Sequence, residues 1–418
     1  MVCRILINVG FDPVNWRRNL AALWLAELTA ILGFSFAFPF LPLFLHRELH
    51  IPSGSQLSFW SGISAGATGL ALAVTSPLWG RLADGYGRKP MLVRAMIGGG
   101  ISVGLMGLAQ SALQLTVLRG VQGASSGTVA AATALVATET PAANLAWALG
   151  ILSSAISLGN AVGPAAGGLA ANLVGLRAIF IGGGAMLLLA TVPVLFIVRE
   201  SPRRVRGKTP PALQVLRAAR AGTIRALAVL MIGQALLQTS YGAAQQLVVL
   251  RLLELTPSAR DAQSLTGVTF AAAGVATAIA AVSYSRLLRA TSYRILLTIA
   301  GVLMALMLFA TVLAGTPAIL ILTFVAASFV SGSLIPAMGA MVGLEVPPMI
   351  QATVFGVSSS AISVGFGLGP LMGGFVASAA GIRAGLGTAA AVAILMTAIL
   401  ALFAREPWPA RTGGHSTG

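Results

Sequence analysis

Cysteine occurs once, at Cys3, so no disulfide can form within the chain. Histidine occurs three times, at His46, His50 and His415, too few and too scattered to make a metal site. No metal or other cofactor is therefore expected. Charge is scarce as well. Asp, Glu, Lys and Arg together make up 9% of the residues, where a soluble domain carries about a quarter. No cluster of nucleophile and base appears, so no enzyme is expected. With 57% hydrophobic residues and a mean hydropathy of +0.91, the chain cannot present a water-soluble surface.

What is present is a succession of apolar stretches, each of roughly 20 residues and long enough to cross a bilayer. About twelve can be counted, and they are numbered here as spans 1 to 12. The 49 glycines and the many alanines suit helices that pack closely inside a membrane. The formal net charge of +16 suggests nucleic acid at first sight, but its placement argues against that. If the spans alternate, twenty basic residues fall on one side. Only Arg47, Arg177, Arg251, Arg260 and Arg383 fall on the other, with Arg119 inside a span. The positive-inside rule then places both termini and the loop at 80–92 in the cytoplasm, in a multi-pass protein of the inner (plasma) membrane. Some attraction to anionic membrane lipid follows. The start of the chain lacks the pattern of a cleaved signal, so span 1 is expected to be retained.

Several constellations stand out along the chain. The loop at 80–92 reads GRLADGYGRKPML. Gly85 and Gly87 permit a tight reversal, Pro90 suits the first turn of the next helix, and Arg88 and Lys89 hold the loop at a membrane face. A basic hairpin explains those cations but not Asp84 or the spacing of Gly80 and Gly87. Span 1, about 19–45, contains Glu27, the only acid placed deep within a span. Such a group is costly and functional by default, and withdrawal from water favours its protonated form. Span 4, about 113–137, contains Arg119, to which the same default applies. Span 5 carries Gly159, Gly163, Pro164, Gly167 and Gly168; glycines four apart share one helix face and allow close contact, and the proline adds a kink. Span 7 carries Gln234, Gln238, Tyr241 and Gln245 on one face. That face should turn away from lipid, as a cavity wall or as a source of bonds between helices.

The chain also repeats itself. Ser153, Gly163, Pro164, Gly167, Gly175 and Arg177 recur 206 positions on as Ser359, Gly369, Pro370, Gly373, Gly381 and Arg383. Glu48 and Glu139 recur as Glu254 and Glu345. Two homologous six-span halves follow, at 1–198 and 226–418, joined by a basic linker at 199–225. The halves differ where chemistry is concerned: Asp84 becomes Ala290, and no arginine stands at the counterpart of Arg119.

The loop at 80–92 resembles the span 2–3 loop of the major facilitator superfamily, G-x-L-a-D-r-x-G-r-k-x-x-L, with Gly85 in place of the usual arginine. Arg119, Gln122 and Gly123 resemble the span 4 pattern of its proton-coupled members. The span 5 string resembles the antiporter motif of drug:proton exporters. The segments at 15–20 and 39–43 are also similar to the twelve-span drug:proton antiporters. The resemblance implies an all-α membrane fold of two pseudo-symmetric six-helix bundles. It implies proton-coupled efflux of small amphipathic compounds by a monomer, with Glu27 and Arg119 coupling the proton. It further implies a latch formed by Gly80, Asp84, Gly87, Arg88 and Lys89, with Asp84 against the start of span 11; Glu139, opposite in charge, is expected to join it as a partner for Arg88. Glu27 and Arg119 lie at similar estimated depth on different helices, so their proximity is an expectation. A metabolite exporter, a passive facilitator and a non-transporting receptor remain as alternatives.

Overall fold

A computed structural model describes residues 15–201, 221–287, 292–346 and 348–406, without the side chains of Asp84, Ala142, Ala146, Ala221 and positions 284–287 and 348–353. Most of the expected linker lies outside the described residues. Among the described residues, ten helices are long and apolar enough to cross a membrane, including Ser55–Tyr86 (span 2), Leu145–Val174 (span 5), Leu176–Phe196 (span 6) and Ala221–Leu255 (span 7). The others in the second half are Ala259–Leu287, Tyr293–Leu313, Pro317–Leu344, Pro348–Ala380 and Ile382–Phe403, spans 8 to 12. Two further crossings bring the number to twelve. Span 3 is the 19-residue helix Arg88–Met106, whose first turn carries the cations of the loop. Span 4 is not continuous, as the sequence suggested, but consists of Ala112–Ser125 and Thr128–Glu139. Gly127 separates them at φ +125°, a backbone conformation that an L side chain rarely adopts. The freed carbonyls are met from neighbouring spans: Trp79 Nε1 donates to the Ala124 carbonyl at 2.6 Å, and Arg94 Nη2 to that of Ser126 at 3.4 Å.

Span 1 is interrupted too. Its helix Trp16–Ala37, capped by the Asn15 side chain, gives way to a 3-10 turn at Phe38–Phe40 and then to Leu41–Arg47. Pro39 lacks the N–H that a continuous helix would use. In the first half, span 1 packs between spans 5 and 6, span 3 packs on 6, and span 2 packs on 4. The second half repeats this with span 7 between 11 and 12 and span 9 on 12. Spans 6 and 12 begin at equivalent glycines, Gly175 at φ +87° and Gly381 at φ +89°.

The halves meet where span 2 lies against span 11 and span 5 against span 8. Gly62 and Gly374 bring spans 2 and 11 together, so that a Cβ on Gly62 would stand 2.8 Å from Gly374 Cα. Gly168 and Gly267 do the same for spans 5 and 8. These contacts lie in the part of the protein farther from the 80–92 loop, called here the far end. Closer to the loop span 2 loosens, and Val74 and Leu78 are exposed.

Candidate functional site

Glu27 sits on span 1 between Leu23, Ala26 and Ala30, all fully packed. Its own exposure is 0%, and among the described residues neither carboxyl oxygen has a hydrogen-bond partner. A polar group buried in this way is costly unless it is used.

Arg119 is also buried, at 3% exposure. Its Nη1 donates to Gln122 Oε1 at 2.6 Å and its Nε to the Ser64 carbonyl of span 2 at 3.3 Å. The guanidinium lies over the Phe38 ring, 4.4 Å from the centroid. Thr68 fixes the backbone by donating to the Arg119 carbonyl at 3.0 Å. The expected proximity to Glu27 is therefore corrected: no ion pair joins the two among the described residues. Phe38 stands about three helical turns beyond Glu27, roughly 16 Å at 1.5 Å per residue. Phe38, rather than the acid, meets the arginine.

At the loop, Gly87 caps span 3 at φ +108°. The carboxylate that meets this helix start is Glu200, which accepts from the backbone N–H of Arg88 at 2.9 Å and of Lys89 at 3.0 Å. An anion there is favoured by the free N–H groups and by the helix dipole. A Cβ on Gly87 would come within 2.9 Å of Glu200 Oε2. In return, Lys89 Nζ donates to the carbonyls of Leu195 and Val198, where span 6 ends. The two helix termini thus exchange an acid and a base. The expected Arg88–Glu139 pair is corrected. Arg88 Nη1 donates to the Ala134 carbonyl at 2.7 Å, more than a turn short of Glu139, whose carboxylate accepts from the Ser201 N–H and hydroxyl. The Asp84 side chain lies outside the described residues. A Cβ on Gly80 would meet open space.

The span 5 glycines divide between two partners. Gly159, Gly163 and Gly167 face span 1, where added Cβ atoms would strike Ile31, Ser35 and the Phe36 carbonyl oxygen respectively. Gly168 faces span 8 of the other half. Pro164 leaves the carbonyl of Asn160 without its usual helical donor. That oxygen faces span 8 at Gly274, while the Asn160 side chain accepts from Ser35 at 2.9 Å.

The polar face of span 7 does not act as one unit. Gln234, 5% exposed, accepts from Ser358 of span 11. The Tyr241 hydroxyl lies 3.1 Å from Ser328 of span 10, and its ring stacks on Phe324 at 5.8 Å. Both groups serve bonds within the second half. Gln238 and Gln245 are half-buried and have no hydrogen bond among the described residues. Of the four, these two make no bond to a neighbouring span among the described residues.

Sequence reasoning passed over two features. Glu200 recurs 206 positions on as Glu406, which accepts from the backbone N–H of Tyr293 and of Arg294 at the start of span 9, while Arg294 donates to the Ala401 carbonyl. The repeat offset alone could have found that pair. At the far end, Arg47 Nη1 donates to Gln263 Oε1 at 2.6 Å, Gln263 Nε2 to Asn172 Oδ1 at 2.8 Å, and Asn172 Nδ2 to Ser264 at 2.9 Å. This chain of amides ties the halves together, and no periodicity announces it.

Comparison with known proteins places this geometry in context. The family model of the Major Facilitator Superfamily matches residues 23–253 and again 230–417. The chain is 33% identical over 373 residues to the multidrug resistance protein MdtG of Escherichia coli (strain K12 / DH10B), covering 89% of this chain and 91% of that one. MdtG of Escherichia coli (strain SE11) gives the same values. Among solved structures, a bacterial homologue of the human lysosomal transporter Spinster, inward-facing and unoccupied, superposes with a TM-score of 0.72 at 18% identity. That match covers 94% of this chain and 97% of the other. The nucleoside transporter NupG gives a TM-score of 0.75 at 13% identity, over 93% and 99% of the two chains. The twelve crossings, the two related halves and these matches agree that the chain is a multi-pass membrane transporter belonging to the Major Facilitator Superfamily.

Proposed function

We propose that the protein exports small amphipathic compounds in exchange for protons, by alternating exposure of a central site to the two sides of the inner membrane. The observation that carries this reading is Glu27, a carboxyl fully buried on span 1 with no partner on either oxygen among the described residues. A passive facilitator gives no reason to keep such a group. The similarity to a multidrug resistance protein supports export and a broad choice of compound. Purified protein in sealed vesicles with an imposed pH gradient tests the reading. Uptake of a fluorescent amphipathic cation should follow the gradient and stop when a protonophore collapses it. Uptake indifferent to the gradient would leave a facilitator or a metabolite exporter.

Within this reading Glu27 carries the proton, and Arg119 responds to the conformation of the halves. Gly80, Asp84, Gly87, Arg88 and Lys89 form the loop latch, with Asp84 against the start of span 11 and Glu139 tied through Ser201. The units are 1–198, the linker 199–225 and 226–418, in a monomer surrounded by membrane lipid, with both termini cytoplasmic. Orientation has its own test. In a Cys3→Ser background, Ser53→Cys should react from outside intact cells with an impermeant thiol reagent, and Lys208→Cys should not. The opposite pattern would invert the topology.

Substrate contact falls to Gln238 and Gln245, which bond to no neighbouring span among the described residues, more than to Gln234 and Tyr241, which are engaged. Gln238→Ala should change the relative resistance of expressing cells among compounds by several-fold, since one lost hydrogen bond is worth about 1 kcal/mol. Tyr241→Ala should instead lower resistance to all of them, because it unpicks the contact between spans 7 and 10. A uniform loss from Gln238→Ala would return that residue to a structural role.

A further inference from the structure

Phe38 lies on the 3-10 turn that joins the two helical pieces of span 1. Its ring meets one group from each half. One is the Arg119 guanidinium of span 4, 4.4 Å from the ring centroid. The other is Phe366 of span 11, in the other half, whose ring stacks on Phe38 at 6.1 Å with an interplanar angle of 26°. Phe366 is held at that boundary by its neighbour: a Cβ on Gly367 would stand 2.7 Å from the Leu70 nitrogen of span 2. Arg119 is incompletely satisfied by its hydrogen bonds, since Nη2 has no partner among the described residues. The face of the Phe38 ring supplies attraction to a cation that the protein has otherwise withdrawn from water.

We propose that Phe38 is a positioning residue that links Arg119 to the meeting of the two halves. This rests on the alternating-access reading above and gives it a physical connection. When the halves close at the far end, Phe366 pins the ring and the ring covers Arg119. When spans 2 and 11 part, Phe366 withdraws with span 11, the ring loses its support, and Arg119 is uncovered toward the central space. The arginine thus reports the state of the far end although it makes no ion pair with Glu27. Closure in turn is favoured by the cation–π contact that it completes.

The test needs neither a pH gradient nor a drug. Ser58 of span 2 is 1% exposed, and a Cβ on Gly374 of span 11 would stand 2.8 Å from the Ser58 carbonyl oxygen. In a Cys3→Ser background, alkylation of Ser58→Cys in detergent-purified protein reads how often the halves part, even when the open form is rare. Gln110→Cys, at an exposed position, gives the intrinsic reactivity. Phe38→Leu should accelerate the Ser58→Cys reaction by roughly tenfold, the scale of one desolvated cation–π contact. Phe366→Leu should accelerate it too, without touching Arg119. Phe38→Tyr, which keeps the π face, should react at the parental rate. Arg119→Gln should match Phe38→Leu, and the double variant should go no further than either. Parental rates in both Phe38→Leu and Phe366→Leu would overturn the proposal. So would failure of Phe38→Tyr to restore protection, or full additivity of the double variant. If vesicles show no pH-driven export but these rates follow the expectation, the proton reading falls and the Phe38 linkage stands.

Discussion

Glu27→Gln should bring pH-driven export in vesicles down to the level of protein-free vesicles, while the purified variant still binds its compounds. Glutamine keeps the length and polarity of glutamate but cannot take up and release a proton. The cavity is already built around a side chain of that shape, fully enclosed by span 1 and its neighbours. The fold should therefore survive, and a thermal midpoint within a few degrees of the parent would show that it does. Glu27→Asp should retain part of the activity, since the carboxyl remains but its reach is shorter. Binding of a fluorescent compound, measured beside transport, separates loss of coupling from loss of the site. Undiminished gradient-driven export by Glu27→Gln would remove Glu27 from the mechanism and turn attention to Asp84.

Gly167→Leu should leave little folded or active protein. A Cβ at Gly167 would collide with the carbonyl oxygen of Phe36 on span 1, which is backbone and cannot turn aside. Overpacking by a flexible side chain costs about 1–3 kcal/mol, and pushing two whole helices apart costs more. It would also displace Gly168 from Gly267 and so disturb the boundary between the halves. Gly163→Leu should behave similarly against Ser35. Gly150 provides the control on the same span: a Cβ there meets open space, so Gly150→Leu should export normally. Expression-matched resistance and gel-filtration profiles distinguish misfolding from slow transport. Parental export by Gly167→Leu would show that the span 5 string is not a close-packing device.

Much of this was legible in the residues. Runs of about 20 apolar residues, the one-sided arginines and the recurrence of Gly163 as Gly369 suffice for twelve crossings in two related halves, because hydrocarbon leaves few ways to satisfy a backbone. Glu27 and Arg119 were legible for the same reason: burying a charge-bearing group is costly, so its presence in a span is a signal by itself. Partners were not legible. Depth estimated along separate spans suggested that Glu27 and Arg119 meet, but the ring of Phe38, on the turn at Phe38–Phe40, meets the arginine instead. Glu139 matched Arg88 by charge, yet the helix start was taken by Glu200, which the chain brings back at the end of span 6. The span 7 face was correct as a period and divided as a function, because spans 10 and 11 each claim one of its residues. Composition and periodicity determine which face of a helix avoids lipid. Which neighbour meets that face depends on breaks, crossing helices and segments more than a hundred residues away, and only the packed tertiary structure decides it.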